Sequence, residues 1–224
     1  MAERKTLILE TALQIATESG VDAVSMRTVA SRIGLTAMAL YPQVPSKDAM
    51  LDGIVDRLIA RVALPPRAAP WEERLAELAR SFRKVARTHP SVVSLLFTRP
   101  AVTPDAMRLV ETIYQALLDA GVPDAEVPRL ERLISTAIVG FVVSEAEGRF
   151  GPGSATPRAR RAPLPQAQFP AHHRLASRLD ALPDVSAEFD ADVADLIEMV
   201  RRAGRAKKAT RHPTESGRRR RQPR

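Results

Sequence analysis

All-α is the fold class this 224-residue sequence predicts, and three observations carry it. Apolar residues recur three and four apart along most of the chain, beginning with Leu7, Ile8, Thr11, Ala12, Ile15 and Ala16. No stretch sustains the apolar–polar alternation of a half-buried strand, and aromatic residues, which favour strands, make up only 4% of the chain. The 18 prolines and 10 glycines supply defined stops between the periodic runs. The length suffices for two small domains or one larger one with a sizeable core.

The first periodic run ends at Gly20, and Ser25 then offers its hydroxyl to the free N–H groups of a second helix carrying Val29, Ala30 and Ile33. Gly34 suits the left-handed residue that ends such a helix. Leu35 plugs the turn, and Thr36 is expected to cap a short third helix, Ala37 to Tyr41. In that helix Leu40 points inward while Thr36, Ala37, Met38 and Tyr41 face out. A small helix braced this way fits a DNA major groove, so the pair reads as a helix-turn-helix with Arg27, Arg32 and Lys47 on or beside its DNA face. Ser46 caps the next run, expected to reach Leu64. Its stripe of Met50, Leu51, Ile54, Val55, Leu58, Ile59 and Val62 is long enough to leave the small domain and join another.

Leu64-Pro65-Pro66-Arg67-Ala68-Ala69-Pro70 is a proline-rich linker and marks a domain boundary. Trp71 opens a helix bearing Leu75, Leu78, Ala79, Phe82, Val85 and Ala86, which His89-Pro90 ends; Ser91 is expected to cap the apolar segment Val92 to Phe97. After the turn Thr98-Arg99-Pro100, Pro104 starts a helix with Met107, Val110, Ile113, Tyr114, Leu117 and Leu118 that stops at Gly121. Pro128 starts another, running to Arg149 and apolar nearly all round, so it needs cover on more than one side; a partner subunit is the economical source. Residues 151–167 are too poor in apolar residues to build a core and read as a mobile loop. A short helix from Pro170 to Ala181 follows, then a last helix, 187–203, carrying Phe189, Val193, Leu196, Ile197 and Val200 and stopped by Gly204. Gly140, in mid-helix, points to a close helix contact.

The chain has no cysteine, hence no disulfide and no thiolate chemistry. Nothing near the start looks like a secretory leader and no run approaches the ~18 apolar residues that span a bilayer, so a cytoplasmic location without membrane contact is expected. The net charge of +8 is unevenly placed. Residues 1–64 carry seven basic and seven acidic side chains, residues 65–200 sixteen and eighteen, and residues 201–224 eleven and one. The basic balance therefore reports a tail, 205–224, expected to be disordered and able to add non-specific DNA affinity through its arginine run 218–221. No phosphate-binding glycine loop, nucleophile elbow or H-E-x-x-H pattern occurs. Adjacent His172 and His173 diverge on a helix, as do Glu145 and Glu147, so no catalytic residue, metal site or cofactor is expected.

From Met26-Arg27-Thr28-Val29-Ala30 through Leu40-Tyr41 to Lys47, order and spacing resemble the tetracycline-repressor-like (TetR) family of one-component regulators, across nearly all of residues 4–60. The resemblance implies DNA contacts from Arg27, Thr28, Thr36, Ala37, Met38, Tyr41, Gln43 and Lys47, with Gln43 standing where a phosphate-contacting His is common. Trp71, Ser81-Phe82-Arg83, Thr98-Arg99-Pro100 and Gly140-Phe141-Val142 resemble the effector domain of the tetracycline-repressor branch itself. That likeness implies a ligand site with Phe82, Leu95, Phe97, Met107, Tyr114 and Phe141 as apolar lining and Arg99, Ser144 and Glu145 as sparse polar groups. The family's metal-contacting His before Thr-Arg-Pro is replaced by Ser94-Leu95-Leu96-Phe97, so no magnesium–tetracycline site carries over. The helices near 128–149 and 187–203 resemble the pair that forms the family's four-helix dimer bundle, implying an interface of Ile138, Val139, Val142, Val193, Ile197 and Val200.

Residues 1–64 are thus expected to be the DNA-binding domain with its connecting helix, 70–204 an effector-binding and dimerisation domain, and 205–224 the tail. The function expected is a homodimeric repressor that leaves double-stranded, palindromic operator DNA when a mostly apolar small molecule binds. Two alternatives are a non-specific nucleic-acid binder acting through the tail and a helical enzyme, the latter without a catalytic constellation.

Overall fold

In a computed structural model of the chain, which describes residues 2–99, 103–151, 159 and 162–210, every described element is helical. The expected loop 151–167 and tail 205–224 lie mostly outside the described residues. In order the helices are α1 (Ala2–Ser19), α2 (Met26–Arg32), α3 (Lys47–Ala60), α4 (Trp71–Thr88), α5 (Leu95–Thr98), α6 (Pro104–Asp119), α7 (Val127–Ala146), α8 (Pro170–Arg174), α9 (Ala176–Leu179) and α10 (Val185–Thr210).

Two apolar clusters hold these helices together. The first joins α1, α2 and α3 around Ile8, Leu13, Val29, Leu40, Met50 and Ile54. It also takes in Ala86, Val92, Val93, Leu95, Ala106 and Val142, so the packing runs across the expected domain boundary. The second packs α4, α6, α7 and α10 around Leu117, Leu130, Phe189 and Val200, and Phe82 touches both. Polar bonds reinforce the crossing. Ser91 does not cap the segment that follows it; its hydroxyl donates to Ala16 O at 2.9 Å, near the end of α1, where that carbonyl also accepts from Gly20 N at 3.0 Å.

Several boundaries depart from expectation. The connecting helix stops at Ala60 instead of Leu64, because the following chain must turn toward α4, where Ala63 N donates to Ser81 Oγ at 2.8 Å. Val127, expected outside its helix, is the first residue of α7, and that helix ends at Ala146, short of Arg149. The expected helix Pro170–Ala181 is broken at Leu175 into α8 and α9.

Gly204 does not end the last helix, which continues to Thr210. A Cβ at this position would run into the carbonyl oxygen of Ala120, so glycine is there to let α10 pass the end of α6. A Cβ at Gly140, by contrast, would meet nothing within 4 Å among the described residues, so the close helix contact expected there is not made among them.

The Arg83–Glu145 pair is the main polar tie of the second cluster. Arg83 donates to both carboxylate oxygens, at 2.8 and 2.7 Å, and its guanidinium lies over the Phe189 ring, 4.8 Å from the centroid. One side chain thereby links α4, α7 and α10 in a bidentate, largely desolvated pair.

Candidate DNA-binding surface and effector cavity

The helix-turn-helix is built by local chemistry. Ser25 Oγ accepts from Thr28 N at 3.1 Å while Thr28 Oγ1 accepts from Ser25 N at 2.9 Å, a reciprocal cap at the start of α2. At the other end Gly34, with φ 69°, lets Gly34 N reach Ser31 O and Leu35 N reach Ala30 O, closing the helix with two crossed bonds. The chain then enters a 3₁₀ turn, Ala37–Ala39, with Tyr41 in the turn beyond it; the expected α-helix to Tyr41 is not formed. Thr36 holds the cap position without a side-chain cap bond. The tighter 3₁₀ geometry suits so short a piece, and Pro42 removes the N–H that a continuing helix would use.

Of the expected DNA contacts, Arg27, Thr28, Thr36, Met38, Tyr41 and Lys47 are exposed, and Met38 reaches 76%. Ala37 and Gln43 are half-buried, Ala37 being packed against the first cluster. The Thr28 hydroxyl is occupied by its cap bonds and by Ala23 O at 2.9 Å, which leaves its proton committed. Arg32 donates to Glu18 at 3.2 Å on the flank of α1.

Beneath this unit, between α4, α5, α6 and α7, lies a cavity of about 530 Å³, within the range of small-molecule sites. Of the residues expected at a ligand site, Phe82, Phe97 and Arg99 line this cavity. The remaining expected ligand residues do not. Leu95 is buried in the first cluster, Met107 is exposed, Tyr114 packs on the second cluster, and Phe141 stacks on Phe150 and meets Phe189 edge-on. Glu145 is committed to Arg83, and Ser144 is half-buried away from the lining. The walls are made by Leu75, Leu78, Leu109, Ile113, Ile134 and Ile138, with Glu131 and Ser135 as polar members that sequence reasoning missed.

Arg99 serves two places at once. It lines the cavity, and it donates to Asp48 Oδ1 at 2.8 Å, Asp48 O at 3.1 Å and Asp52 Oδ1 at 2.7 Å, clasping the first turns of α3. These hydrogen bonds from Arg99 to Asp48 and Asp52 hold the guanidinium above its ordinary range. A second link runs through His89, whose Nδ1 meets Thr17 Oγ1 at 2.9 Å and whose Nε2 meets Arg61 at 2.8 Å. Arg61 can only donate, so Nε2 accepts and Nδ1 carries the proton, a neutral ring. Burial, then the Arg61 charge, lowers its pKa below the ordinary 6.5.

Four of the expected interface residues, Ile138, Val142, Val193 and Val200, are buried in the subunit's own core, because the all-round apolar coat of α7 is covered by α4, α6 and α10. Val139 lines the cavity, and Ile197 is half-buried against the second cluster. Along the middle of α7 Arg132, Leu133, Thr136 and Ala137 are exposed, with the half-buried Gly140 in line with them, beside a groove whose walls include Ala137, Leu196 and Met199.

Residues 8–54 match the family described as bacterial regulatory proteins, tetR family, and residues 64–193 match the tetracyclin repressor-like C-terminal domain. The chain belongs to the TetR family. A regulator described as an HTH-type transcriptional regulator from Saccharopolyspora erythraea is 32% identical over 189 residues, covering 84% of this chain and 75% of that protein. The HTH-type transcriptional repressor DrrR1 of Streptomyces coeruleorubidus is 32% identical over 151 residues, 64% of this chain and 56% of its own length. Among crystal structures, the Streptomyces coelicolor TetR family protein ActR in complex with actinorhodin superposes with a TM-score of 0.78 at 25% identity, over 89% of this chain and 97% of that one. These matches make the chain a DNA-binding transcriptional regulator and not an enzyme. Among the described residues no helix is long and apolar enough to cross a membrane.

Proposed function

We propose that this TetR-family chain is a homodimeric repressor that binds a palindromic operator and is released from it by a mostly apolar small molecule held in the cavity between α4 and α7. The observation that carries the reading is Arg99: one side chain lines the effector cavity and grips Asp48 and Asp52 beside the DNA-facing Lys47. A ligand favours release only by the margin with which it prefers the released conformation, typically about 1–3 kcal/mol. Filling the cavity changes the position of Phe97 and Arg99, and with them the tilt of α3 and the spacing of the two recognition turns. The dimer face we assign is the uncovered α7 stripe with the groove beside α10. The complex of ActR, a protein of the same fold, with actinorhodin supports a ligand-responsive reading.

Selection of bound DNA from a random pool tests the reading. It should return an inverted repeat, and deletion of residues 205–224 should leave that preference intact while lowering affinity for all DNA alike. A pool without sequence preference, or binding that vanishes with the tail, would favour the non-specific alternative.

A further inference from the structure

Glu131 is the one charged side chain set into the cavity wall without a counter-charge among the described residues. It is 8% exposed, and the polar partner of its carboxylate is the Ser135 hydroxyl, one turn further along α7, which donates to Oε1 at 2.7 Å. Glu145, the other carboxylate drawn into the core from α7, has Arg83. Arg99, the cation on the same cavity, is already bound to two aspartates. Leu75, Leu109, Ile113 and Ile134 line the same cavity and provide no solvation. A desolvated carboxylate with one hydroxyl partner is costly, and the cost is recovered when a cation arrives.

Resting on the reading of this cavity as the effector site, we propose that its effector is a lipophilic ammonium ion, an apolar body bearing a single positive charge that pairs with Glu131. The same geometry disfavours anionic ligands, since Glu131 repels them and Arg99 is engaged by Asp48 and Asp52. Ser135 orients the carboxylate toward the void and serves as a positioning residue.

A charge series on one apolar body provides the test, its members standing in for the natural ligand. The full-length protein is titrated with diphenylhexatriene, its trimethylammonium derivative and its propionic acid derivative, each of which brightens in an apolar site. The cation should bind about tenfold or more tighter than the neutral probe, and the anion weakest. Glu131→Gln, which keeps the shape and the Ser135 hydrogen bond, should remove the cation's advantage and leave the neutral probe within about twofold; the neutral probe thereby reports that the cavity still folds. Equal affinity for cation and neutral probe in the wild type would overturn the proposal and leave Glu131 as a core carboxylate tied to Ser135. Failure of all three probes to bind would overturn it together with the cavity. Operator release is measured separately: a cation preference that stands while the cation leaves operator affinity unchanged would retain the assignment of Glu131 and refute induction through this site.

Discussion

Lys47 and Arg27 are both exposed beside the recognition turn, yet their positions predict different losses. Lys47 opens α3 at the edge of the unit, where we propose that it meets a phosphate, and phosphate contacts carry no sequence information. Lys47→Ala should weaken binding to every sequence and reduce the salt slope of log K by about one unit; an unchanged slope would place it off the backbone. Arg27 sits in the first turn of α2, and Arg27→Ala should relax preference at one position by roughly 1–3 kcal/mol if it reaches a guanine. His89 predicts a pH dependence. Because burial and Arg61 depress its pKa, the unfolded chain binds a proton there more readily than the folded one. The stability of the α1–α3–α4 junction is therefore fully present above pH 6.5 and is lost as pH falls below 6.5 through the folded value. Unfolding free energies of the wild type and His89→Asn should converge as the solution is acidified; parallel curves would show that the ring titrates alike in both states.

Between helices the consequential link is the Arg99 clasp, the charged tie by which the end of α5 holds α3. Both aspartates are well exposed, so breaking the pairs costs little stability, about 1 kcal/mol or less. What should change is the definition of the recognition turn's position. The chain contains no cysteine, so spin labels at Met38→Cys can report the separation of the two turns in the proposed dimer, near ~34 Å when both fit successive grooves. Arg99→Ala should broaden that distance distribution; an equally narrow one would remove Arg99 from the coupling. The features at the DNA end were legible in the sequence because they are local: Ser25, Gly34 and Ser46 act on their own neighbours within a turn. The cavity was not, because its lining depends on how helices rotate against one another. On α6 the inward stripe is Ala106, Leu109, Val110 and Ile113, one register away from Met107 and Tyr114, and the small Ala106 concealed it. On α7 apolar residues lie on every side, so the sequence did not say which face would hold Glu131 against the void. Gly204 misled for a related reason, its close neighbour Ala120 being distant in sequence.

The dimer we propose would use a surface that the described residues of one chain leave exposed on α7. Leu133, Thr136, Ala137 and Gly140 lie at helical spacing on the outer side of α7, and the small residues among them allow a second helix to approach closely. An isologous pairing across a two-fold axis would set this stripe against its own copy and bring both α10 helices alongside, a four-helix bundle with no residue of the inner core disturbed. Ala137 is the position that separates assembly from folding. It is exposed in the subunit, so a carboxylate placed there is solvated in the monomer and costs the fold little. In the dimer the same carboxylate is buried opposite its own copy, desolvated and repelled. Ala137→Glu should therefore give a monomer by light scattering that retains the wild-type helical signal and unfolding midpoint. Its affinity for the full operator should fall by on the order of 10²–10⁴, the advantage lost when two half-sites are no longer held by one molecule, while affinity for an isolated half-site stays the same. A variant that remains dimeric would move the interface off α7, and a monomer that still binds the full operator with unchanged affinity would show that assembly is not what gives this repressor its hold on DNA.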